Sequence, residues 1–228
     1  MKATWSRELP QIGLIALMTM LAAVTWPWAP DRIAVRWDLQ GEVTRYGGKA
    51  EGLLLLPALA LLVYLFLLVL PRIDPGRANY QRFAGPYNMI RFSLLSLIAI
   101  AYGVVHVWIR GYPIDVASAG LLLVGVMLVI FGVVMDKIRP NWSVGIRTPW
   151  TLTSQESWTR THRVGGWLFI VLGLWTLLLA VERTAWALAV WVIILGATVV
   201  GLFAYSYLVW RADPRKMPPT GTLLTEDS

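Results

Sequence analysis

Residues 116–135 read VASAGLLLVGVMLVIFGVVM, a run without a single charged side chain. At a helical rise of about 1.5 Å per residue, the run is about 30 Å long, which matches the hydrocarbon core of a bilayer. The 228-residue chain is 57% hydrophobic and 14% charged, whereas soluble domains carry about 25% charged residues. These features predict an integral membrane protein without a separate soluble domain.

Five further apolar segments are long enough to cross the membrane. The six predicted spans are residues 9–28, 53–70, 92–109, 116–135, 164–181 and 185–210. Trp residues cluster at their ends, as is typical of membrane interfaces. The motif Trp26-Pro27-Trp28 replaces the small residues of a cleavage site, which favours an uncleaved first span over a signal peptide. We therefore predict an all-α fold, namely a polytopic membrane protein that forms a six-transmembrane helix bundle.

The distribution of basic residues predicts how the bundle is inserted. If the N-terminus is inside, the inner segments hold 14 Lys and Arg residues and the outer loops hold 6. Loops rich in Lys and Arg stay in the cytoplasm. Both termini and residues 136–163 are therefore expected to be cytoplasmic, residues 29–52 are expected to be external, and membrane lipids are the expected partners of the spans.

Several kinds of chemistry find no support in the sequence. The chain has no Cys and only two His residues, His106 and His162, which lie on opposite sides of the predicted topology. No metal site, cofactor or nucleophile motif is therefore expected. The net charge of +7 is attributed to loops that face anionic lipid rather than to nucleic-acid binding. Arg91, Asp136 and Glu182 fall at span ends, so no buried charge is expected to mark an ion pathway.

The predicted cytoplasmic stretch 141–166 reads NWSVGIRTPWTLTSQESWTRTHRVGG and is rich in aromatic, basic and threonine residues. Thr153 and Glu156 have the spacing of a helix-capping box, and the helix that starts there places Trp158 and His162 on one face. Two interpretations are open: an amphipathic helix that anchors the loop at the interface, and one specific site. The residues of the hypothetical site are Arg147, Trp150, Trp158, His162 and Arg163.

At these residues the chain resembles the SdpI family of bacterial membrane proteins. The family signature is close to N-x-x-x-G-I-R-T-P-W-T followed by W-x-x-T-H-R, and this chain has NWSVGIRTPWT and WTRTHR. The resemblance implies a location in the bacterial plasma membrane and a set of functional residues on the inner face. These signature residues are Asn141, Gly145, Arg147, Thr148, Pro149, Trp150, Thr151, Glu156, Trp158, Thr161, His162 and Arg163.

The predicted external loop resembles a small two-span domain of unknown function that often precedes the SdpI region. Arg36 stands where that pattern usually has His. The resemblance implies candidate binding residues at Arg36, Trp37, Asp38, Gly41 and Lys49. The alternative interpretation of this loop is a short extended turn packed on the bundle. We predict three regions: an N-terminal two-span domain at 1–75, an SdpI-like region at 76–210 with its signature loop at 136–163, and a flexible tail at 211–228.

The resemblance also implies a function in immunity and signal transduction. The best-known member of the family protects its cell from a secreted peptide toxin and draws a cognate transcriptional repressor to the membrane. The implied partners of this chain are a peptide toxin outside and a cytoplasmic repressor, with no direct contact to nucleic acid, and the oligomeric state stays open. We do not expect this protein to be an enzyme. Two alternatives remain: a lipid or small-molecule transporter of the flippase type, and a membrane enzyme that uses His162.

Overall fold

The computed structural model describes residues 5–218 and Leu223, and six long helices dominate this part of the chain. They are α1 (Trp5–Thr25), α2 (Lys49–Ile73), α3 (Ala84–Ile109), α4 (Val116–Met135), α5 (Gln155–Leu179) and α6 (Ala185–Ala212). All six are long and apolar enough to cross a membrane. The predicted all-α bundle is therefore confirmed, although α3 and α5 begin eight and nine residues earlier than the sequence predicted.

The chain passes up and down, so the bundle has two distinct ends. We call the end where α1 begins and α6 finishes the terminal end, and the opposite end the hairpin end. Contacts between α2 and α3 confirm their antiparallel order. The Tyr87 hydroxyl donates to the carbonyl of Leu67 at 2.6 Å, and the Tyr102 hydroxyl donates to that of Leu53 at 2.8 Å. The assignment of the terminal end to the cytoplasm stays a prediction.

Two clusters of buried side chains hold the helices together. The members of the first, between α1, α2 and α3, include Met18, Ala22, Tyr64, Leu95 and Tyr102. The members of the second, at the terminal end, include Tyr80, Phe83, Tyr87, Met135 and Trp158. Many large apolar side chains outside these clusters remain exposed on the bundle surface, as expected for helices that face lipid. In a bilayer, such helices associate through close packing and hydrogen bonds rather than through the hydrophobic effect.

Helices α4 and α5 pack closely through small residues. A Cβ atom at Gly132 would lie 2.6 Å from the carbonyl oxygen of Gly166. A Cβ atom at Gly173 would lie 2.8 Å from the carbonyl oxygen of Gly125. The two backbones therefore approach each other along most of their length, because small residues at both positions leave no side chain between them.

A β-hairpin between α1 and α2 covers part of the hairpin end. Strand β1 (Arg32–Trp37) pairs antiparallel with β2 (Val43–Gly48). Asp38 organises the turn, since its Oδ1 accepts two backbone N–H bonds at 3.0 and 2.9 Å. Gly41 has a φ of 91°, a conformation that glycine adopts without strain. The segment is therefore a paired hairpin rather than a single extended turn.

The hairpin is fixed at both of its ends. At the base, a Cβ atom on Gly52 would lie 2.7 Å from the side chain of Ile33, so the strand rests directly on α2. At the tip, Arg183 donates to the carbonyl of Leu39 at 2.9 Å and forms an ion pair with Asp115. A hydrogen bond from a backbone N–H in the first turn of α4 holds the pKa of Asp115 below its ordinary value. The hairpin thus bridges the start of α2 and the start of α4.

The start of α5 corrects one local prediction. The helix cap is Ser154 rather than Thr153, because the Ser154 hydroxyl accepts a hydrogen bond from the backbone N–H of Ser157 at 3.0 Å. The Thr153 hydroxyl instead donates to the carbonyl of Pro149 at 2.8 Å. The cap therefore lies one residue later than the capping-box pattern indicated.

The predicted flexible tail at 211–228 begins within α6 and then packs against the bundle. Asp213 follows the helix, and its carboxylate accepts a hydrogen bond from the Ser154 hydroxyl at 2.6 Å. This hydrogen bond holds the pKa of Asp213 below its ordinary value. The backbone N–H of Met217 donates to the loop before α5 at 2.9 Å. Residues 219–222 and 224–228 lie outside the described residues.

Candidate functional site

The loop between α4 and α5, residues 136–154, forms much of the terminal end, and Asp74 fixes its first half. Asp74 follows α2 and is only 3% exposed. Its carboxylate accepts hydrogen bonds from the Tyr80 hydroxyl at 3.0 Å, the Trp142 backbone N–H at 3.2 Å and the Ser143 hydroxyl. Burial raises the pKa of Tyr80, and its protonated hydroxyl is the donor in this contact. One carboxylate therefore ties the loop to the chain that follows α2.

Asn141 shapes the turn of this loop. Its Oδ1 accepts backbone N–H bonds from Ser143 at 2.9 Å and Val144 at 2.6 Å. Its Nδ2 donates to the carbonyls of Arg139 at 2.8 Å and Val144 at 3.0 Å. An amide side chain has two donors and two acceptor lone pairs, so its hydrogen-bonding capacity is filled within the loop.

His162, on α5, hydrogen-bonds to the backbone in the middle of the loop. Its Nε2 accepts the backbone N–H of Ile146 at 3.0 Å, so Nδ1 carries the proton and donates to the Trp158 carbonyl at 2.8 Å. The imidazole also stacks on the Trp158 indole at 4.1 Å between ring centroids, and that indole donates to the Ile138 carbonyl at 2.9 Å. Gly145 has a φ of 110°, and a Cβ atom there would collide with His162 Nε2. Both ring nitrogens are therefore used to fix the backbone.

Threonine and serine hydroxyls connect the second half of the loop to α6. The Thr151 hydroxyl accepts the Thr148 backbone N–H at 2.9 Å and donates to the Ile146 carbonyl at 2.8 Å. The Thr148 hydroxyl accepts the Thr151 backbone N–H at 3.1 Å and lies 3.0 Å from the Ser206 hydroxyl. The Ser157 hydroxyl donates to the Ser206 carbonyl at 2.8 Å. The run of Thr in the sequence therefore satisfies backbone groups that the loop would otherwise bury unpaired.

A few residues of the loop point outward. Trp142 is 44% exposed, and its carbonyl accepts a hydrogen bond from Arg147 Nη1 at 2.6 Å. Arg147 and Pro149 are exposed, whereas Trp150 is half-buried and packs on Phe203 of α6 at 4.6 Å. The exposed side chains of the loop are therefore Asp136, Lys137 and Arg139 at its start, and Trp142, Arg147 and Pro149 further along.

The remaining signature residues lie on α5 and point in other directions. Glu156 forms an ion pair with Arg160 on the helix surface. Arg163 lines a depression of about 140 Å³ between α4 and α5, together with Asp136. Thr161 is fully buried, and its hydroxyl has no hydrogen-bond partner among the described residues. These side chains do not extend the surface formed by Arg147.

The structure therefore brings part of the hypothetical inner-face site together and separates the rest. Six signature residues form the hydrogen-bonded framework of the loop: Asn141, Gly145, Thr148, Thr151, Trp158 and His162. Trp150 contacts α6 and Arg163 faces α4, so neither joins His162 in one cluster. Ligand binding by these residues stays a prediction, and Arg147, Pro149 and Arg163 are the exposed signature residues.

The sequence did not point to three residues that complete this framework, namely Asp74, Ser206 and Asp213. Asp74 lies in an Asp-Pro-Gly turn, which looked like an ordinary helix-terminating signal. Ser206 lies within a predicted span, where a single hydroxyl residue does not by itself indicate a structural role. Asp213 lies in the stretch that was expected to be flexible. The one available signal for Asp74 and Asp213 was that each is a polar residue shortly after a predicted span.

A buried ion pair lies among α1, α2 and α3 and corrects a further expectation. Arg91 is 1% exposed, and its two terminal nitrogens donate to the Glu8 carboxylate at 3.0 and 2.8 Å. The guanidinium also lies over the Tyr64 ring at 5.7 Å. Arg91 was expected at a span end, but α3 begins at Ala84, so Arg91 lies inside the helix. The two charges pair with each other, which explains how they are tolerated there, although the buried Nε of Arg91 has no hydrogen-bond partner among the described residues.

The candidates at the hairpin end serve different purposes. Asp38 and Gly41 build the turn, and Lys49 lies at the start of α2, where its ammonium is 3.5 Å from a backbone carbonyl at the end of α1. Trp37 makes an edge-to-face contact with an indole near the end of α3 at 6.0 Å. Arg36 is exposed and has no ion pair among the described residues. Binding by these residues also stays a prediction.

Fold and loop together define a polytopic membrane protein with a rigid, hydrogen-bonded loop at one end and a β-hairpin at the other. Residues 137–208 match the model of the SdpI/YfhL protein family. Residues 13–61 match a domain of unknown function, DUF1648. Both resemblances drawn from the sequence are thereby confirmed.

A curated relative is similar to a longer part of the chain. The chain is 22% identical to the "Immunity protein SdpI" of Bacillus subtilis (strain 168) over 167 residues, which cover 73% of this chain and 78% of that protein. No solved structure matches the chain.

Proposed function

We propose that this chain is an immunity protein of the SdpI type, which protects its cell against a secreted peptide toxin. The observation that carries the proposal is the similarity to Immunity protein SdpI over 73% of the chain. That similarity is longer than the match to the SdpI/YfhL region, which covers residues 137–208. It therefore involves part of the bundle beyond the signature loop and the helices that flank it.

We place the protein in the bacterial plasma membrane with its terminal end in the cytoplasm. The exposed basic residues at that end support this orientation: Arg7, Arg72, Arg77, Arg82, Lys137, Arg139, Arg147, Arg160, Arg163, Arg211, Arg215 and Lys216. Glu8, Asp74 and Asp213 are buried, so Asp136 and half-buried Glu156 are the accessible carboxylates there among the described residues. A strongly basic face is what the positive-inside rule and an anionic inner leaflet favour.

The signalling part of the proposal concerns the outward residues of the signature loop. Trp142, Arg147 and Pro149 would meet a cytoplasmic regulator, with a transcriptional repressor as the proposed partner. The framework under them holds the backbone in one conformation, so little conformational entropy would be lost when a partner binds. An exposed indole and an Arg are also the side-chain types that contribute most to protein interfaces.

The two alternative functions gain no specific support. Both ring nitrogens of His162 bond to the backbone, and the side chain is 1% exposed, which disfavours a membrane enzyme that uses it. Glu8 and Arg91 pair with each other, which gives no sign of a site for a transported ion. We therefore propose neither an enzyme nor a transporter.

Survival of the producing strain tests the proposed function. Deleting the gene is expected to make the strain sensitive to its own secreted peptides, and the wild-type chain is expected to restore resistance. A chain in which a neutral linker replaces residues 32–49 is expected to restore none. The matched control carries Arg77→Gln and Arg82→Gln, two exposed basic residues at the other end, and should keep full resistance.

Immunoblots of the membrane fraction ensure that all variants are compared at equal protein levels. If the deletion strain survives as well as the parent, the immunity proposal is wrong. If the linker variant protects fully at equal membrane levels, the hairpin end is not where the toxin is met.

A further inference from the structure

An apolar cavity of about 240 Å³ lies beneath the β-hairpin. Strand β1 borders the cavity on one side, and the hairpin-end halves of α2, α3 and α4 border it on the others. We call it the hairpin cavity, and its apolar lining includes Ala34, Val35, Leu56, Ala101, Val105 and Leu123. A cavity of about 150 Å³ accepts a benzene ring, so the hairpin cavity has room for one large apolar side chain.

A more open groove adjoins this cavity and runs along β1. It has a volume of about 680 Å³ and lies between residues 35–40 and the first two turns of α4. Successive side chains of a strand point to opposite faces, so a groove lined by consecutive strand residues follows the edge of the strand. Among the described residues, only β2 hydrogen-bonds to the backbone of residues 32–37. At residues 35–37, which line the groove, the other edge of β1 therefore presents unpaired backbone groups to it.

Shared residues join the groove to the cavity. Val35, Trp37, Val116 and Gly120 line both. Val35 has no partner in the register of the hairpin, because a bulge separates Ala34 from Arg36. Such bulges re-aim a side chain, and here the residue concerned lies at the junction of the two spaces. The Trp37 indole adds a buried N–H that has no hydrogen-bond partner among the described residues.

Two charged side chains line the groove, and one of them has no polar partner among the described residues. Arg36 lines the groove, is exposed and forms no ion pair with a described residue. Asp38 also lines the groove, but two backbone N–H groups of the turn already bind its carboxylate. The basic residues nearby, Arg45, Lys49 and Arg183, are each paired with a carboxylate. The Arg36 guanidinium is therefore the charged group of the groove that is free to pair with an acidic group on a ligand.

We propose that the free edge of β1 and the hairpin cavity together bind an extended peptide segment. The segment adds as a third strand beside β1, inserts one large apolar side chain into the cavity and places a carboxylate near Arg36. This mode of binding uses backbone hydrogen bonds for affinity and a side-chain pocket for specificity. The unpaired indole N–H of Trp37 supplies a further donor for a peptide carbonyl. The proposal rests on the proposed function for its biological role, since it gives the toxin-facing end a binding mode.

A binding experiment with defined peptides tests this inference on the full chain in lipid nanodiscs. The probes are four labelled eight-residue peptides that alternate threonine with alanine, valine, leucine or phenylalanine and end in a free carboxylate. Fluorescence anisotropy is expected to show at least about tenfold tighter binding of the leucine or phenylalanine peptide than of the alanine peptide, because only large side chains fill the cavity. N-methylation of alternate backbone nitrogens is expected to weaken that binding at least about tenfold, because it removes strand hydrogen bonds.

Gly120 and Gly196 offer a matched pair of variants. Gly120 lines both spaces, and a Cβ atom at either glycine would meet no atom within 4 Å, so both positions tolerate a side chain. Gly120→Leu is expected to fill the cavity and weaken peptide binding at least about tenfold. Gly196→Leu, on α6, is expected to leave binding unchanged. Arg36→Gln is expected to remove the preference for a free over an amidated carboxyl terminus.

Several outcomes would overturn the inference. Equal binding of N-methylated peptides would exclude strand addition, and unchanged binding by Gly120→Leu would exclude the cavity. If no peptide binds but mass spectrometry finds a lipid that Gly120→Leu releases, the occupant is an acyl chain and the inference is wrong. The survival assay remains separate: peptide binding without immunity contradicts the proposed function alone, and immunity without binding of any peptide contradicts this inference alone.

Discussion

Replacing Gly145 by alanine tests whether the signature loop is held by its internal framework. Gly145 has a φ of 110°, and a Cβ atom there would overlap the Nε2 atom of His162. The same Nε2 accepts the backbone N–H of Ile146 at 3.0 Å. The substitution therefore imposes backbone strain and pushes His162 away from the N–H that it accepts.

The two effects set the expected magnitude. A side chain at positive φ costs about 1–2 kcal/mol. A buried backbone N–H that loses its acceptor costs about 1–3 kcal/mol. Together they predict that opening of the loop becomes easier by roughly 2–5 kcal/mol, because both costs arise only when the loop is closed.

Hydrogen exchange of the Ile146 amide measures this opening directly. A change of about 2 kcal/mol, the low end of the range, speeds exchange by about 30-fold, since each 1.4 kcal/mol corresponds to a factor of ten. Gly196→Ala is the matched control, because a Cβ atom at that helical position meets nothing within 4 Å. The control is expected to leave Ile146 exchange unchanged and to stabilise α6 slightly, by about 0.5–1 kcal/mol.

A double-mutant cycle separates strain from collision. In a His162→Ala background the collision is absent, so Gly145→Ala is expected to cost only the strain of about 1–2 kcal/mol. If Gly145→Ala leaves Ile146 exchange at the wild-type rate, the loop does not depend on this contact and the framework interpretation is wrong. The same conclusion follows if the cost is identical in the two backgrounds.

Three further predictions follow from the bundle and its two ends. Arg147→Lys is expected to reduce resistance or signalling nearly as much as Arg147→Ala. Arg147 has a planar guanidinium that bonds the loop and also faces outward, and lysine lacks this group. Full activity of the lysine variant would show that the residue is a simple lipid-facing charge. Arg91→Leu is expected to destabilise the protein by about 3–5 kcal/mol in mixed-micelle unfolding, because Glu8 is left buried and unpaired, whereas adding Glu8→Leu should recover most of the loss. Reporter fusions are expected to place residue 40 outside and residue 150 inside, and the reverse result would end the proposed orientation.

The spans were predictable from composition, but the starts of α3 and α5 were not. Hydropathy locates only the apolar part of a helix, and α5 begins with the polar run QESWTRTHR. The buried side chains of these segments pack on protein: Trp158 and His162 face the loop, and Arg91 faces Glu8. A long-range partner such as Glu8 cannot be read from residues near Arg91 in sequence.

The sequence of the hairpin contains residue types that indicate β-strands, and the prediction of a short extended turn did not use them. The segments RIAVRW and VTRYGG contain β-branched and aromatic residues, and the five residues between them include a glycine. This combination indicates a β-hairpin with a longer loop. The space beneath it was beyond sequence reasoning, because it depends on how far Arg183 and Asp115 hold the tip from α2.

The residue types that suggested a binding site have another explanation in the structure. A loop between two spans must pair its backbone groups, and few of them reach water when the loop packs into the bundle. Asn141, Thr151 and His162 meet this need, since their side chains bond backbone N–H or C=O groups. The signature is therefore recognisable because the loop requires it, whatever the loop binds. In the proposed signalling role, a partner would meet the side chains that the framework leaves exposed, which include Trp142 and Arg147.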